Sequence, residues 1–279
     1  MLARQEQGGT FALSRHISVE SAAMIQGLAR KWLAGISVST QEAEPAFPQG
    51  SRTTTATVEC PMITLYHCDG ARSFRPLWML EELGLGYELK MLPFPPRVLA
   101  KEYLAINPLG TIPYLIDGDT KMTESSGICH YLGTRYGPTP LMVGVEEPAY
   151  GAFLNWMYFS DATLTFPQTL VLRYTQLEPE ERRSPQVATD YAKWFLGRLR
   201  AVEAATATTE TLCAGRFTAA DIVIGYALRL ADSIGLSKDF GPKVKVYWER
   251  LQGREGYQRA LAAEQRAGVE QNVAPRVRI

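Results

Sequence analysis

A β-hairpin is predicted at Ile112-Pro113-Tyr114-Leu115-Ile116-Asp117-Gly118-Asp119-Thr120-Lys121-Met122, in the middle part of this 279-residue chain. The apolar run at 112–116 predicts a buried strand, and residues 120–122 predict a shorter second strand. Between them, residues 117–119 have the composition of a tight turn, because glycine adopts positive φ without steric cost. A turn this short joins antiparallel neighbours.

Upstream of the hairpin, the sequence predicts a strand, a helix and a second strand. The apolar run at 63–66 predicts a buried strand, and residues 87–92 predict another. The helix between them ends at Gly84. Its apolar face consists of Phe74, Leu77 and Trp78. Because a helix separates the two strands over about 30 residues, they should be parallel and joined by a right-handed crossover.

Two further helices complete this half of the chain. One is predicted at about Val98–Ile106, and the other carries Ile128, Tyr131 and Leu132 at helical spacing before it stops at Gly137-Pro138. The resulting order is βαβαββα, which is thioredoxin-like. We therefore predict a thioredoxin-like domain at residues 62–139.

The remainder of the chain predicts only helices. After a linker at about 138–147, apolar residues recur at helical spacing with no strand and turn pattern, which indicates an all-helical domain at 148–272. One helix start is especially clear, because Thr218 and Asp221 have the spacing of a capping box and Phe217 can pack against Ile222. The fold class is therefore α/β followed by all-α.

Composition limits the classes of partner. Hydrophobic residues make up 46% of the chain, which is enough for real cores. Lys plus Arg and Asp plus Glu number 29 each, so no overall charge favours nucleic acid or an anionic membrane. A small molecule or another protein is the expected partner.

The cysteines indicate a reducing, cytoplasmic setting. They are far apart, with no C-x-x-C pair and no histidine at zinc-ligand spacing, so we expect no disulfide framework, no metal and no bound cofactor. The four are Cys60, Cys68, Cys129 and Cys213. Arg30 and Lys31 interrupt the most hydrophobic stretch near the start of the chain, so no membrane span is expected.

Residues 1–61 are expected to lie outside the two domains. They are rich in Ser, Thr, Gln and Ala, and residues 40–57 are polar and turn-prone. A stretch at 25–36 has helical apolar spacing beside two basic residues, which is typical of an amphipathic targeting segment. One alternative is a disordered tail. The other is a start site assigned too far upstream, with translation beginning at Met62, which stands immediately before the first predicted strand.

Four motifs in order carry a family resemblance. They are Leu65-Tyr66, Glu81-Glu82-Leu83-Gly84-Leu85, Asn107-Pro108-Leu109-Gly110-Thr111-Ile112-Pro113 and Glu124-Ser125. With the helix cap at Thr218, they resemble the glutathione transferase superfamily over about residues 62–265. The β-etherase-like bacterial members are similar at Gly70-Ala71-Arg72-Ser73.

The resemblance implies a set of glutathione-binding residues. A cis bond before Pro113 would present the main chain of Ile112 to the cysteinyl part of glutathione, whereas a plain edge-strand proline is the alternative. Glu124 and Ser125 would hold the γ-glutamyl end at a helix N-terminus, or would merely cap that helix. Thr111 stands where many relatives have a lysine that binds the glycyl carboxylate. Arg97 and Lys101 are the candidates to take the place of that lysine.

The residue that stabilises the thiolate is less clearly defined. The catalytic serine of theta- and phi-like transferases would fall at Gly70 or Ala71, and the catalytic cysteine of the beta class would fall at Arg72. Neither a serine nor a cysteine is present at these positions. Ser73 is the first candidate, with helix capping as its alternative. Tyr66 is a second candidate or a structural residue. Arg72 either places a positive charge near the sulfur or lies in solvent.

For the electrophile, the resemblance implies an aromatic wall from the first helix of the second domain, with Trp156 and Phe159 as candidates and core packing as the alternative. The implied function is transfer of glutathione to a hydrophobic electrophile by a homodimeric detoxification enzyme. A non-catalytic binding module is the rival from another class. Ether cleavage, dehalogenation and disulfide reduction also remain open within the fold.

Overall fold

The computed structural model describes residues 62–275. The predicted N-terminal extension at 1–61, with its candidate amphipathic segment, lies outside the described residues. Within 62–275, no helix is both long enough and apolar enough to cross a membrane.

Four strands form one mixed sheet in the order β2-β1-β3-β4. Strands β1 and β2 are parallel, whereas β3 pairs antiparallel with both β1 and β4. The predicted parallel pairing of β1 and β2 and the predicted hairpin are therefore confirmed. The strands are β1 (Ile63–His67), β2 (Tyr87–Met91), β3 (Tyr114–Asp117) and β4 (Thr120–Met122).

Helices connect these strands in the predicted order βαβαββα, which confirms the thioredoxin-like fold. They are α1 (Phe74–Leu83), α2 (Pro96–Leu99) with the 3₁₀ turn Lys101–Ala105, and α3 (Ser125–Arg135). Two boundaries differ from the prediction. The expected helix at 98–106 is divided, because Ala100 has non-helical dihedral angles, φ −137° and ψ 68°. Strand β3 begins after Pro113, since proline has no N–H for the strand ladder.

From Tyr150 onward the described chain contains only helices and turns, as predicted. The main helices are α4 (Tyr150–Phe159), α5 (Phe166–Leu172), α6 (Pro185–Ala205), α7 (Ala219–Ser233), α8 (Pro242–Gln252) and α9 (Glu255–Glu270). Two π-helical segments, Ser160–Thr165 and Arg173–Leu177, flank α5, and 3₁₀ turns lie at Glu180–Arg182 and Ser237–Asp239.

Helix α7 lies at the centre of the helical part, and every residue from Ala219 to Ala231 is buried. Its predicted capping box is confirmed, because the Asp221 carboxylate accepts the backbone N–H of Thr218 at 2.9 Å. The same carboxylate accepts the Tyr247 hydroxyl at 2.8 Å. The cap therefore also ties α7 to α8.

Helix α1 joins the sheet to the helical part by packing against α3, α7 and α9. Its closest approach needs a glycine, since a Cβ atom on Gly225 of α7 would lie 2.8 Å from the Trp78 ring. At the far end of α1, Arg254 donates two hydrogen bonds to Glu82, at 2.8 and 2.9 Å. These contacts fix α1, and with it the loop that precedes α1, against the helices.

Candidate active site

A cavity of about 240 Å³ lies where the loop before β3 meets the start of α1 and the helices α5 and α7. Its lining residues are Ala71, Arg72, Phe94, Pro96, Arg97, Gly110, Thr111, Ile112, Thr169, Leu172, Leu177, Tyr226 and Leu230. A larger cavity of about 480 Å³ lies beside the C-terminal segment, from Glu264 to Pro275. The smaller cavity is the candidate site, because it brings predicted binding residues of the sheet domain together with side chains of the helical part.

The loop before β3 lines this cavity with Gly110, Thr111 and Ile112. The Ile112–Pro113 peptide bond is cis, as the resemblance implied. None of the described residues hydrogen-bonds to the main-chain N–H or C=O of Ile112. The neighbouring carbonyl of Thr111 is held from behind by Asn107 Nδ2 at 2.9 Å and by the Tyr103 hydroxyl at 2.8 Å. The loop is therefore fixed, while Ile112 keeps a strand-like donor and acceptor for another molecule.

The N-terminus of α3 is a second source of donors. The backbone N–H groups of Ser125, Ser126 and Gly127 make no hydrogen bond with the described residues, as expected in the first turn of a helix. Glu124 precedes this turn and is exposed, and its side chain does not cap the helix. The Ser125 hydroxyl accepts a hydrogen bond from Arg75 Nη1 at 2.9 Å. This end of α3 can therefore hold an anion.

Arg75 is a buried cation that the sequence reasoning did not identify. It is fully buried, and all five guanidinium N–H groups find acceptors, which is the full capacity of an arginine side chain. The acceptors are Val223 O, Ser125 Oγ, Asp161 Oδ1, Ser160 Oγ and Thr165 Oγ1. Arg75 thus connects α1, the start of α3, the first π-helical segment and α7.

The two predicted thiolate donors do not line the cavity. Ser73 is fully buried, and its Oγ accepts the backbone N–H of Cys68 at 3.4 Å. It stands at the N-cap position of α1, yet its side chain makes no capping hydrogen bond. The Tyr66 ring packs among aromatic side chains, 5.2 Å from the Tyr103 ring and 6.2 Å from the Tyr114 ring, measured between centroids. Both roles stay predictions.

Arg72 does line the cavity, and it is exposed. Its Nη2 donates to Thr169 Oγ1 at 3.3 Å, so it reaches across the cavity from the start of α1 to α5. A positive charge therefore lies at the corner of the cavity next to the N-terminus of α1.

The predicted electrophile residues lie elsewhere. Trp156 is buried in the main core, and the ring of Phe159 packs against it edge-on, with centroids 5.3 Å apart. Neither side chain lines the cavity. The wall on the helical side consists instead of Thr169, Leu172, Leu177, Tyr226 and Leu230. The spacing of four between Tyr226 and Leu230, on the helix capped by Thr218, is the sequence signal that was available for this wall.

A second buried charge cluster fixes the loop before α1. The Glu264 carboxylate of α9 accepts the backbone N–H of Gly70 at 2.9 Å and bonds His67 Nε2 at 2.9 Å. Its other oxygen accepts from Arg229 Nη2 at 2.5 Å. Burial opposes ionisation of Glu264, but the His67 hydrogen bond and the Arg229 charge outweigh it and hold the pKa of Glu264 well below its usual range.

The fold and this cavity define a class of protein: a thioredoxin-like sheet domain followed by a helical domain, with the site between the cis-proline loop, the start of α1 and the helices. The family of the glutathione S-transferase N-terminal domain matches residues 65–140. Residues 65–140 therefore belong to the glutathione S-transferase N-terminal domain family.

Known relatives agree with this assignment. The chain is 34% identical to glutathione S-transferase 3 of Schizosaccharomyces pombe over 103 residues, which cover 37% of this chain and 43% of that protein. It is 27% identical to glutathione S-transferase GstA of Escherichia coli O157:H7 over 203 residues, covering 72% of this chain and 98% of GstA. The glutathione transferase URE2P8 of Phanerochaete chrysosporium, solved with oxidized glutathione, has the same fold, with a TM-score of 0.66 and 20% identity over 75% of this chain and 98% of that chain.

Proposed function

We propose that this protein is a glutathione transferase, which adds the thiolate of glutathione to hydrophobic electrophiles. The observation that carries the proposal is the main chain of Ile112. Its N–H and C=O make no hydrogen bond with the described residues, and Ile112 lines a cavity that also meets the start of α1. An extended peptide such as glutathione docks on such groups as an added strand.

The two ends of glutathione have matching partners. Its γ-glutamyl carboxylate would bind the N–H groups at the start of α3 and the Ser125 hydroxyl, with Glu124 near the amino group. The glycyl carboxylate would lie near Thr111 and Arg97, which line the same cavity. Bound oxidized glutathione in URE2P8 supports this choice of ligand.

The transfer reaction requires that a larger fraction of the glutathione thiol be ionised in the site than in free solution. A free cysteine thiol has a pKa of about 8.5, and a reduction by about two units requires about 2.7 kcal/mol of preferential stabilisation of the charged sulfur. The N-terminus of α1 and the Arg72 guanidinium place positive potential at this corner. One or two hydrogen bonds to the sulfur would supply the remainder. The electrophile would then lie against Leu172, Leu177 and Leu230.

A non-catalytic glutathione-binding module is the second candidate. The observation that favours it is the absence of a hydroxyl at Ala71 together with the buried position of Ser73, the first candidate donor. Such a module would bind glutathione without lowering the pKa of the thiol. Measuring that pKa in the complex separates the two functions.

Replacing Ser125 by alanine tests the binding mode. We expect Ser125→Ala to weaken glutathione binding about tenfold, because a hydrogen bond to a charged carboxylate is lost. Isothermal calorimetry measures the change. γ-Aminobutyryl-cysteinyl-glycine, which lacks that carboxylate, should bind the wild type and Ser125→Ala equally well.

Ser126→Ala is the matched control for this experiment. The Ser126 Oγ is buried with no hydrogen-bond partner among the described residues, so its removal should leave glutathione affinity unchanged. Equal weakening by both substitutions, or weakening that persists with the analogue, would contradict the proposed position of the carboxylate.

A further inference from the structure

We propose that Tyr226 donates the hydrogen bond that stabilises the thiolate of bound glutathione. This role rests on the proposed function. It gives the glutathione sulfur a hydrogen-bond donor from α7, since neither Ser73 nor Tyr66 lines the cavity. In this step the thiol releases its proton to solvent, and the Tyr226 hydroxyl keeps its own proton while it donates a hydrogen bond to the charged sulfur.

The position of the Tyr226 side chain carries the inference. Tyr226 lines the same cavity as Ala71, Arg72 and Ile112. Its hydroxyl donates to the carbonyl of Gly70 at 3.4 Å, so the phenol oxygen lies against the backbone just before Ala71. A sulfur that extends from the Ile112 main chain towards the N-terminus of α1 would therefore come next to this hydroxyl.

The other hydroxyls near the cavity are less suited to this role. Thr169 gives its hydroxyl hydrogen to the Thr165 carbonyl at 3.0 Å and accepts from Arg72. Thr111 stands on the opposite wall, where its hydroxyl is 3.5 Å from Asn107 Nδ2. Ser73 and Tyr66 are not part of the lining.

The chemistry of the Tyr226 hydroxyl suits this role. Its bond to the Gly70 carbonyl, at 3.4 Å, is longer than the usual 2.7–2.8 Å for an O–H···O bond and is therefore weak, whereas a bond to an anionic acceptor is stronger. A phenol, with a pKa of about 10, is also a stronger hydrogen-bond donor than an aliphatic alcohol.

The ring of Tyr226 is held in place from behind. The Arg75 guanidinium carbon lies 4.7 Å from the ring centroid, in a cation–π contact. Because Arg75 itself is held by five hydrogen bonds, the phenol is supported by a rigid group. A preorganised donor needs little rearrangement when charge develops on the sulfur.

An ultraviolet titration tests this role. The thiolate absorbance of bound glutathione is followed against pH in the wild type, Tyr226→Phe and Ser73→Ala, with the S-methylglutathione complex as the baseline. We expect Tyr226→Phe to raise the pKa of the bound thiol by about one unit, because one hydrogen bond to the charged sulfur is lost. Ser73→Ala should retain the wild-type value, and calorimetry at low pH should show similar glutathione affinity in all three proteins.

The outcomes separate this inference from the proposed function. An unchanged thiol pKa in Tyr226→Phe, or a loss of the shift in Ser73→Ala alone, would overturn the role of Tyr226 while leaving the transferase function in place. A wild type that binds glutathione with an ordinary thiol pKa would overturn both. Phenylalanine keeps the ring and its contact with Arg75, so a folding defect is not expected.

Discussion

Replacing Arg75 by methionine is expected to lower the free energy of unfolding by about 3 kcal/mol or more, because it leaves several buried hydrogen-bond acceptors without their donor. Methionine has a similar length but no donor. It would leave Asp161 without its cation and would remove the hydrogen bonds that join α1 to Ser160, Thr165 and α7. Denaturant unfolding followed by circular dichroism measures the change.

Arg173→Met is the matched control for Arg75→Met. The Arg173 side chain is 52% exposed, and its partner Glu178, at 10% exposed, retains a second cation in Arg182, so the loss of Arg173 should cost much less stability. Equal stability of the two variants would contradict the view that Arg75 is the buried connection between the sheet and the helices.

Replacing Glu264 by glutamine should lower the stability at neutral pH by about 3 kcal/mol and change its pH dependence. The side chains of Glu264 and Arg229 are 1% and 8% exposed, so the variant leaves the arginine charge without a carboxylate in the interior.

The sign of the pH effect follows from the lowered pKa of Glu264. The unfolded carboxyl group, with a pKa of about 4.3, binds a proton more readily than the folded one, so acid favours unfolding. The stabilisation is complete above about pH 5 and is lost as the pH falls from there towards the folded pKa.

Chemical denaturation at several pH values between about 3 and 7 measures this slope. We expect the wild type to lose stability towards acid more steeply than Glu264→Gln. The control is Glu255→Gln on the same helix, where the side chain is 95% exposed and should contribute no such slope. If Glu264→Gln and the wild type show the same pH dependence, Glu264 is not the group that titrates.

The fold could be predicted from the sequence because its signals are local. The apolar runs, the turn at 117–119 and the cap formed by Thr218 and Asp221 each depend on residues close in the chain. The one clear failure is the helix at 98–106. Val98 and Leu99 are apolar, but they are 55% and 61% exposed, so they do not mark a buried helix face.

The cis-proline loop could also be predicted, since the residues from Asn107 to Pro113 are contiguous. The cavity wall could not, because Tyr226 and Leu230 reach the cavity only through the packing of α7 against α1. The same holds for Glu264, which is 194 residues from its partner Gly70. Sequence spacing places Tyr226 and Leu230 on one helix face, but it does not show which element that face meets. The choice of Trp156 and Phe159 came from the resemblance and from the aromatic content of the first helix of the second domain.

The most direct test of the central claim is the pKa of the glutathione thiol when it is bound to the wild-type protein. Ultraviolet titration of the thiolate band in the saturated complex measures it. The proposed transferase function predicts a value well below the ordinary value of about 8.5, lower by about two units. Tight binding with a thiol pKa near 8.5 would contradict that function and would identify the protein as a non-catalytic glutathione-binding module.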